Sequence, residues 1–106
     1  MHKVISVKFP KKLLDEIDLF AINKRKSRGE VIREAIVKFM ANPVLTGDSI
    51  SLGDTIISNA ITVKADESFW NKVDEIAKEL RITRSDVIRY AVCNYVLDNQ
   101  VGVMYK

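Results

Sequence analysis

This 106-residue chain has one cysteine, Cys93, and one histidine, His2. A lone cysteine cannot close an internal disulfide, and one histidine cannot complete a zinc site with it. No His, Cys or carboxylate constellation recurs where a catalytic centre could form, so neither an enzyme nor a cofactor is expected. No run approaches the ~18 apolar residues of a membrane span, and the N-terminus lacks a signal-peptide apolar region. The expected setting is cytoplasmic, away from membranes.

What the chain does have is a repeat. Residues 3–42 lie on residues 59–98 at a constant offset of 56, without a gap, and eleven pairs are identical. These are Ile5/Ile61, Val7/Val63, Lys8/Lys64, Asp18/Asp74, Ala21/Ala77, Arg25/Arg81, Arg28/Arg84, Val31/Val87, Ile32/Ile88, Arg33/Arg89 and Ala35/Ala91. Each copy should therefore make the same small structure. A copy of about 40 residues seldom folds alone without a crosslink or an associate. With no crosslink available, the copies must pair, and 47% hydrophobic residues supply a core for that. Net charge is +3, concentrated in residues 1–42, which hold ten Lys/Arg against five Asp/Glu.

Within a copy, the period-two alternation of Val4–Phe9 and of Ala60–Ala65 predicts short strands. Ile5, Val7 and Phe9 would face inward, with Val4, Ser6 and Lys8 outward. A strand that short leaves edges unsatisfied, and antiparallel pairing of the two copies relieves the defect. A helix follows, with Pro10 in its first turn in one copy and Asp66 as N-cap in the other. Leu13, Leu14, Ile17, Phe20 and Ala21 form its apolar stripe, as do Phe69, Trp70, Val73, Ile76 and Ala77. A second helix opens at Ser27-Arg28-Gly29-Glu30 and at Thr83-Arg84-Ser85-Asp86, both with capping-box spacing. Its stripe is Val31, Ile32, Ala35, Ile36, Phe39 and Met40, repeated by Val87, Ile88, Ala91, Val92, Tyr95 and Val96. Cys93 reads as a buried small hydrophobe and His2 as a mobile terminal residue.

Strand, helix and capped second helix, with the stretches Ser27–Ile36 and Thr83–Val92, resemble the ribbon-helix-helix family of DNA-binding regulators of the Arc, MetJ and CopG type. Two copies in one chain further resemble tandem forms among archaeal virus regulators, in which case the cytoplasm would be the host's. The resemblance implies a mainly α fold with a short β ribbon. Two ribbon-helix-helix repeats would pair into one pseudo-dimeric unit with a two-stranded antiparallel sheet and four helices. It also implies a transcriptional regulator, with double-stranded DNA as partner. By position, the base-reading residues would be Val4, Ser6, Lys8, Ala60, Thr62 and Lys64. Phosphates would be held around Ser27, Arg28, Thr83 and Arg84, with Lys3 and Lys26 widening the cationic footprint. One departure stands out: Arg25-Lys26 and Arg81-Ile82 occupy places where the family usually has glycine and an apolar residue. A left-handed arginine carries strain, so an altered turn is expected there, above all in the first copy.

The expected organisation is a first repeat over 1–42, a linker over 43–58, a second repeat over 59–98 and a tail over 99–106. Sixteen linker residues reach roughly 50 Å, enough for the repeats to pair within one chain. Ile50, Leu52, Ile56 and Ile57 are apolar for a free linker, as are Val101, Val103 and Met104 in the tail, which suggests packing or further self-association. Two other functions compete with the regulator. One is a ribbon-helix-helix antitoxin, against which the short tail speaks; the other is a protein-interaction module with no DNA role.

Overall fold

In this computed structural model, the structure describes residues 2–43 and 57–104, with side chains over 2–43 and 60–96. Six elements follow in order: β1 (His2–Pro10), α1 (Lys11–Lys24), α2 (Arg28–Ala41), β2 (Ile57–Asp66), α3 (Glu67–Leu80) and α4 (Arg84–Met104). Strand, helix, helix occurs twice, as the repeat requires. Most of the linker, including Ile50, Leu52 and Ile56, lies outside the described residues. The tail expected from residue 99 instead continues helix α4 as far as Met104.

The two strands form one antiparallel sheet, with Ser6 opposite Thr62 at its centre and Lys8 opposite Ala60. Pairing extends beyond the alternating segments, from His2 opposite Asp66 to an irregularity at Phe9/Pro10. Backbone hydrogen bonding continues wherever a partner backbone lies alongside, whatever the side chains are. His2, expected to be mobile, is therefore the first residue of the ribbon, with Nδ1 3.4 Å from Asp66 Oδ1. Pro10 and Asp66 both stand immediately before their helices, with φ/ψ of −62°/148° and −63°/149°, and neither side chain caps.

Alternation settles which face of the ribbon is dry. Val7, Phe9, Ile61, Val63 and Ala65 are buried, while Val4, Ser6, Lys8, Ala60, Thr62 and Lys64 are exposed. The dry face meets Leu13, Leu14, Ile17, Trp70 and Val73 from the first helices and Val31, Ile32, Ile36, Val87, Ile88 and Val92 from the second. These residues make one core drawn from both repeats. Cys93 is buried in it, as its reading as a hydrophobe predicts. Trp70 is 1% exposed, and its indole N–H donates to the Lys3 carbonyl at 3.0 Å, so the buried indole is satisfied across the repeat boundary.

The first and second helices of each repeat are tied by the same ion pair. Arg28 donates from Nη2 to Asp18 Oδ2 at 2.9 Å, and Arg84 from Nη2 to Asp74 Oδ2 at 2.9 Å, each with a second bond from Nε. The turns between these helices do contain left-handed arginines, at φ 56° for Arg25 and 60° for Arg81. The amide of Lys26 bonds the Ala21 carbonyl at 2.9 Å and that of Ile82 bonds the Ala77 carbonyl at 3.0 Å, closing each helix in the Schellman pattern. The turn is therefore not altered in either copy: an arginine takes the left-handed place that glycine usually fills, and the closing hydrogen bonds together with the packed helix pair hold it there.

The repeats are not identical where they meet. Tyr95 donates its hydroxyl to Glu34 Oε1 at 3.0 Å, Lys26 donates to Oε2 of the same carboxylate, and the Phe20 ring lies 5.1 Å from that of Tyr95. At the positions related by the repeat stand Phe39, Tyr90, Ile82 and Ile76, which cannot reproduce the carboxylate-centred set.

Two outcomes are expected in urea unfolding. Arg25→Gly and Arg81→Gly should each raise stability by about 0.5–1 kcal/mol, because glycine adopts the left-handed region without the Cβ clash; an unchanged midpoint would count against strain at these turns. The hydrogen bond from Arg84 holds the Asp74 carboxyl below its ordinary range, and that from Lys26 does the same for Glu34. Groups with depressed folded pKa values contribute stability above the unfolded values of about 4 and lose it as pH falls through the folded ones. Stability should thus drop below about pH 4, and less steeply in Asp74→Asn, measured as unfolding free energy against pH.

Candidate nucleic-acid interface

The outer face of the ribbon carries three cross-strand pairs: Val4 with Lys64, Ser6 with Thr62, and Lys8 with Ala60. All six side chains are exposed, and Val4 is 56% exposed although apolar. This face therefore brings together every residue that the sequence assigned to base reading. Antiparallel order places the two lysines on opposite strands and four residues apart along the ribbon, about 13 Å at ~3.4 Å per residue. They flank a centre of two hydroxyls, with an apolar side chain opposite each lysine.

The second-helix N-termini are capped as their spacing predicts. Ser27 Oγ accepts from the Glu30 amide at 3.2 Å while Glu30 Oε1 accepts from the Ser27 amide at 2.9 Å. Thr83 and Asp86 reproduce both bonds, at 3.1 Å and 3.4 Å. The bond from the Ser27 amide holds the Glu30 carboxyl below its ordinary range. Each box uses two of the backbone donors at its helix start. The amides of Arg28 and Gly29, and of Arg84 and Ser85, stay without an intrahelical acceptor, at the positive end of the helix dipole.

The cationic side chains assigned to phosphate are placed differently from one another. Lys3 is exposed on the ribbon. Arg28 and Arg84 begin their helices but turn their guanidinium groups onto Asp18 and Asp74, so their charge is already half answered. Lys26 is drawn to Glu34, which raises its pKa through their hydrogen bond. Of the groups assigned to phosphate, the exposed Lys3 and the backbone amides at the helix starts are left to meet an anion.

Two further side chains meet the ribbon. Arg33 Nη1 donates to the Lys64 carbonyl at 3.0 Å, and Arg89 Nη1 donates to the Lys8 carbonyl at 2.8 Å. Each reaches from the second helix of one repeat to the strand of the other. A cleft of about 530 Å³ opens beside the first of these contacts, between His2, Arg33, Lys64, Ala65, Asp66 and Phe69. The sequence carried a signal for both arginines: they are one of the few polar pairs kept identical between the repeats. Its meaning needed the crossing geometry.

Among the described residues, no group of three or more His, Cys, Asp or Glu is placed to hold a metal ion, and no helix is long and apolar enough to cross a membrane. Comparison with curated proteins and with solved structures found no match. Residues 3–41, all but the first residue of the first strand-helix-helix unit, match the family model described as "Ribbon-helix-helix protein, copG family". A two-stranded antiparallel ribbon backed by four helices is a ribbon-helix-helix arrangement, and over its first repeat the chain is similar to the family of that name.

Proposed function

We propose that this protein is a sequence-specific regulator that binds double-stranded DNA by seating the β1–β2 ribbon in the major groove. The observation that carries this reading is the two-sided ribbon, whose inner face is closed by the core while its outer face presents two lysines, two hydroxyls and two small apolar groups. A two-stranded ribbon fits the width of the major groove, where base pairs present distinguishable donors, acceptors and the thymine methyl. Lys8 and Lys64 donate to guanine O6 and N7, Ser6 and Thr62 pair with several bases, and Val4 and Ala60 pack on thymine methyl groups.

The match of the first repeat to a ribbon-helix-helix family supports DNA as the partner. Phosphates on either side of the groove are received by the amides at the starts of α2 and α4, where a helix N-terminus favours an anion. Such contacts set register, and the ribbon side chains set sequence. One chain supplies both halves of the reading surface, so a single molecule does what two identical subunits would otherwise do. Because Val4 is matched by Ala60 and Ser6 by Thr62, the preferred site is an imperfect palindrome. The lysine spacing of about 13 Å corresponds to roughly four base-pair steps.

The test is site selection from randomised duplex DNA, followed by footprinting and the solution mass of the complex. One chain per site is expected, with log K falling by ~0.9 per phosphate neutralised as log salt rises. Lys8→Ala with Lys64→Ala should weaken the selected site by roughly ten- to a hundredfold per lysine, at ~1–3 kcal/mol for each good base contact. Its circular dichroism should not change, since both side chains are exposed. Full affinity in the folded double variant would remove the ribbon from the interface.

A further inference from the structure

We propose that Arg33 and Arg89 are positioning residues for base reading, each fixing the strand backbone beneath the groove lysine of the opposite repeat. This rests on the DNA-binding reading above. A ribbon of two strands has two open edges, along which alternate backbone carbonyls point away from the partner strand. The Lys64 and Lys8 carbonyls each accept a hydrogen bond from an arginine of the opposite repeat.

The hydrogen bond does mechanical work. A side chain takes its direction from the backbone that carries it, and an ionised donor makes a bond roughly twice as strong as a neutral one. Anchoring the carbonyl of the lysine itself fixes the starting direction of a long, flexible stem. The anchors rise from rigid ground: Ile32, Ile36, Ile88 and Val92 on the same helices are completely buried. In the first repeat, Gly29 leaves room for the anchor, since a Cβ there would lie 3.3 Å from Arg33 Nη1. In the second, Arg89 is held by an additional bond from Nη2 to Asp86 Oδ1 at 3.1 Å.

Because each anchor crosses between repeats, the inference makes a half-site prediction. Lys64→Ala identifies which half of the selected site Lys64 reads, and Lys8→Ala identifies the other. Arg33→Met should then relax base preference in the Lys64 half by about tenfold, near the lower end of what one good base contact supplies, and leave the Lys8 half intact. Arg89→Met should do the reverse. Neither should change the slope of log K against log salt. If wild-type protein selects no sequence, the groove reading fails and takes this inference with it. If wild type selects a site and Arg33→Met keeps full preference in both halves, or relaxes the half read by Lys8, the positioning role alone is overturned. A slope reduced by ~0.9 with half-site preference unchanged would overturn it too, by making the arginine a phosphate contact. Should Arg33→Met not fold, Arg33→Gln, whose shorter stem stops short of the Lys64 carbonyl, is read by the same half-site criterion.

Discussion

A two-stranded sheet has one face to bury and two edges to satisfy, and no single repeat of this chain can do either. The antiparallel pairing of β1 with β2 is the constraint from which the rest follows. It brings Val7, Phe9, Ile61 and Val63 onto one face, and only helices from both repeats together are broad enough to cover them. The same pairing puts the exposed positions of both strands on the opposite face, so building the core and displaying that outer face are one event. A shift of one residue in register would exchange the two faces and lose both.

The residues kept identical in both repeats divide cleanly by role. The apolar ones, such as Val31/Val87 and Ile32/Ile88, lie in the shared core. The polar ones each have a structural or surface task. Asp18/Asp74 with Arg28/Arg84 tie the first helix to the second, and Arg25/Arg81 close the first helix in the left-handed region. Arg33/Arg89 cross to the partner strand, and Lys8/Lys64 stand on its outer face. Where the repeats differ, the Tyr95–Glu34–Lys26 set occupies one side of the helix contact and Phe39, Tyr90 and Ile82 occupy the equivalent places on the other. The two sides of the helix contact therefore carry different chemistry.

Much of this was legible in the sequence because it depends on local periodicity. Alternation in Val4–Phe9 gave the strand and its inward face, helical spacing gave the four stripes, and Ser27/Glu30 and Thr83/Asp86 gave the caps. The register was not legible, since any antiparallel pairing relates the two copies alike, and Ser6 opposite Thr62 is a feature of the folded ribbon. Strand ends were less legible: pairing to His2 and Asp66 depends on a neighbouring backbone, not on the side chains there. Lys26 and Arg28 read as free cations, and their carboxylate partners eight and ten residues away become neighbours only when the helices pack.

What the sequence by itself determined is the set of elements, the dry side of each and the demand that two copies combine, because these follow from burying apolar groups at fixed periods. Only the tertiary structure decided which charges remain available and which are spent within the fold. It also decided that each second helix hands an arginine to the other repeat's strand. The physical reason is range: hydrophobic periodicity is written over neighbouring residues, whereas a hydrogen bond such as that of Arg89 to the Lys8 carbonyl joins groups 81 positions apart, and its geometry exists only once the core has closed.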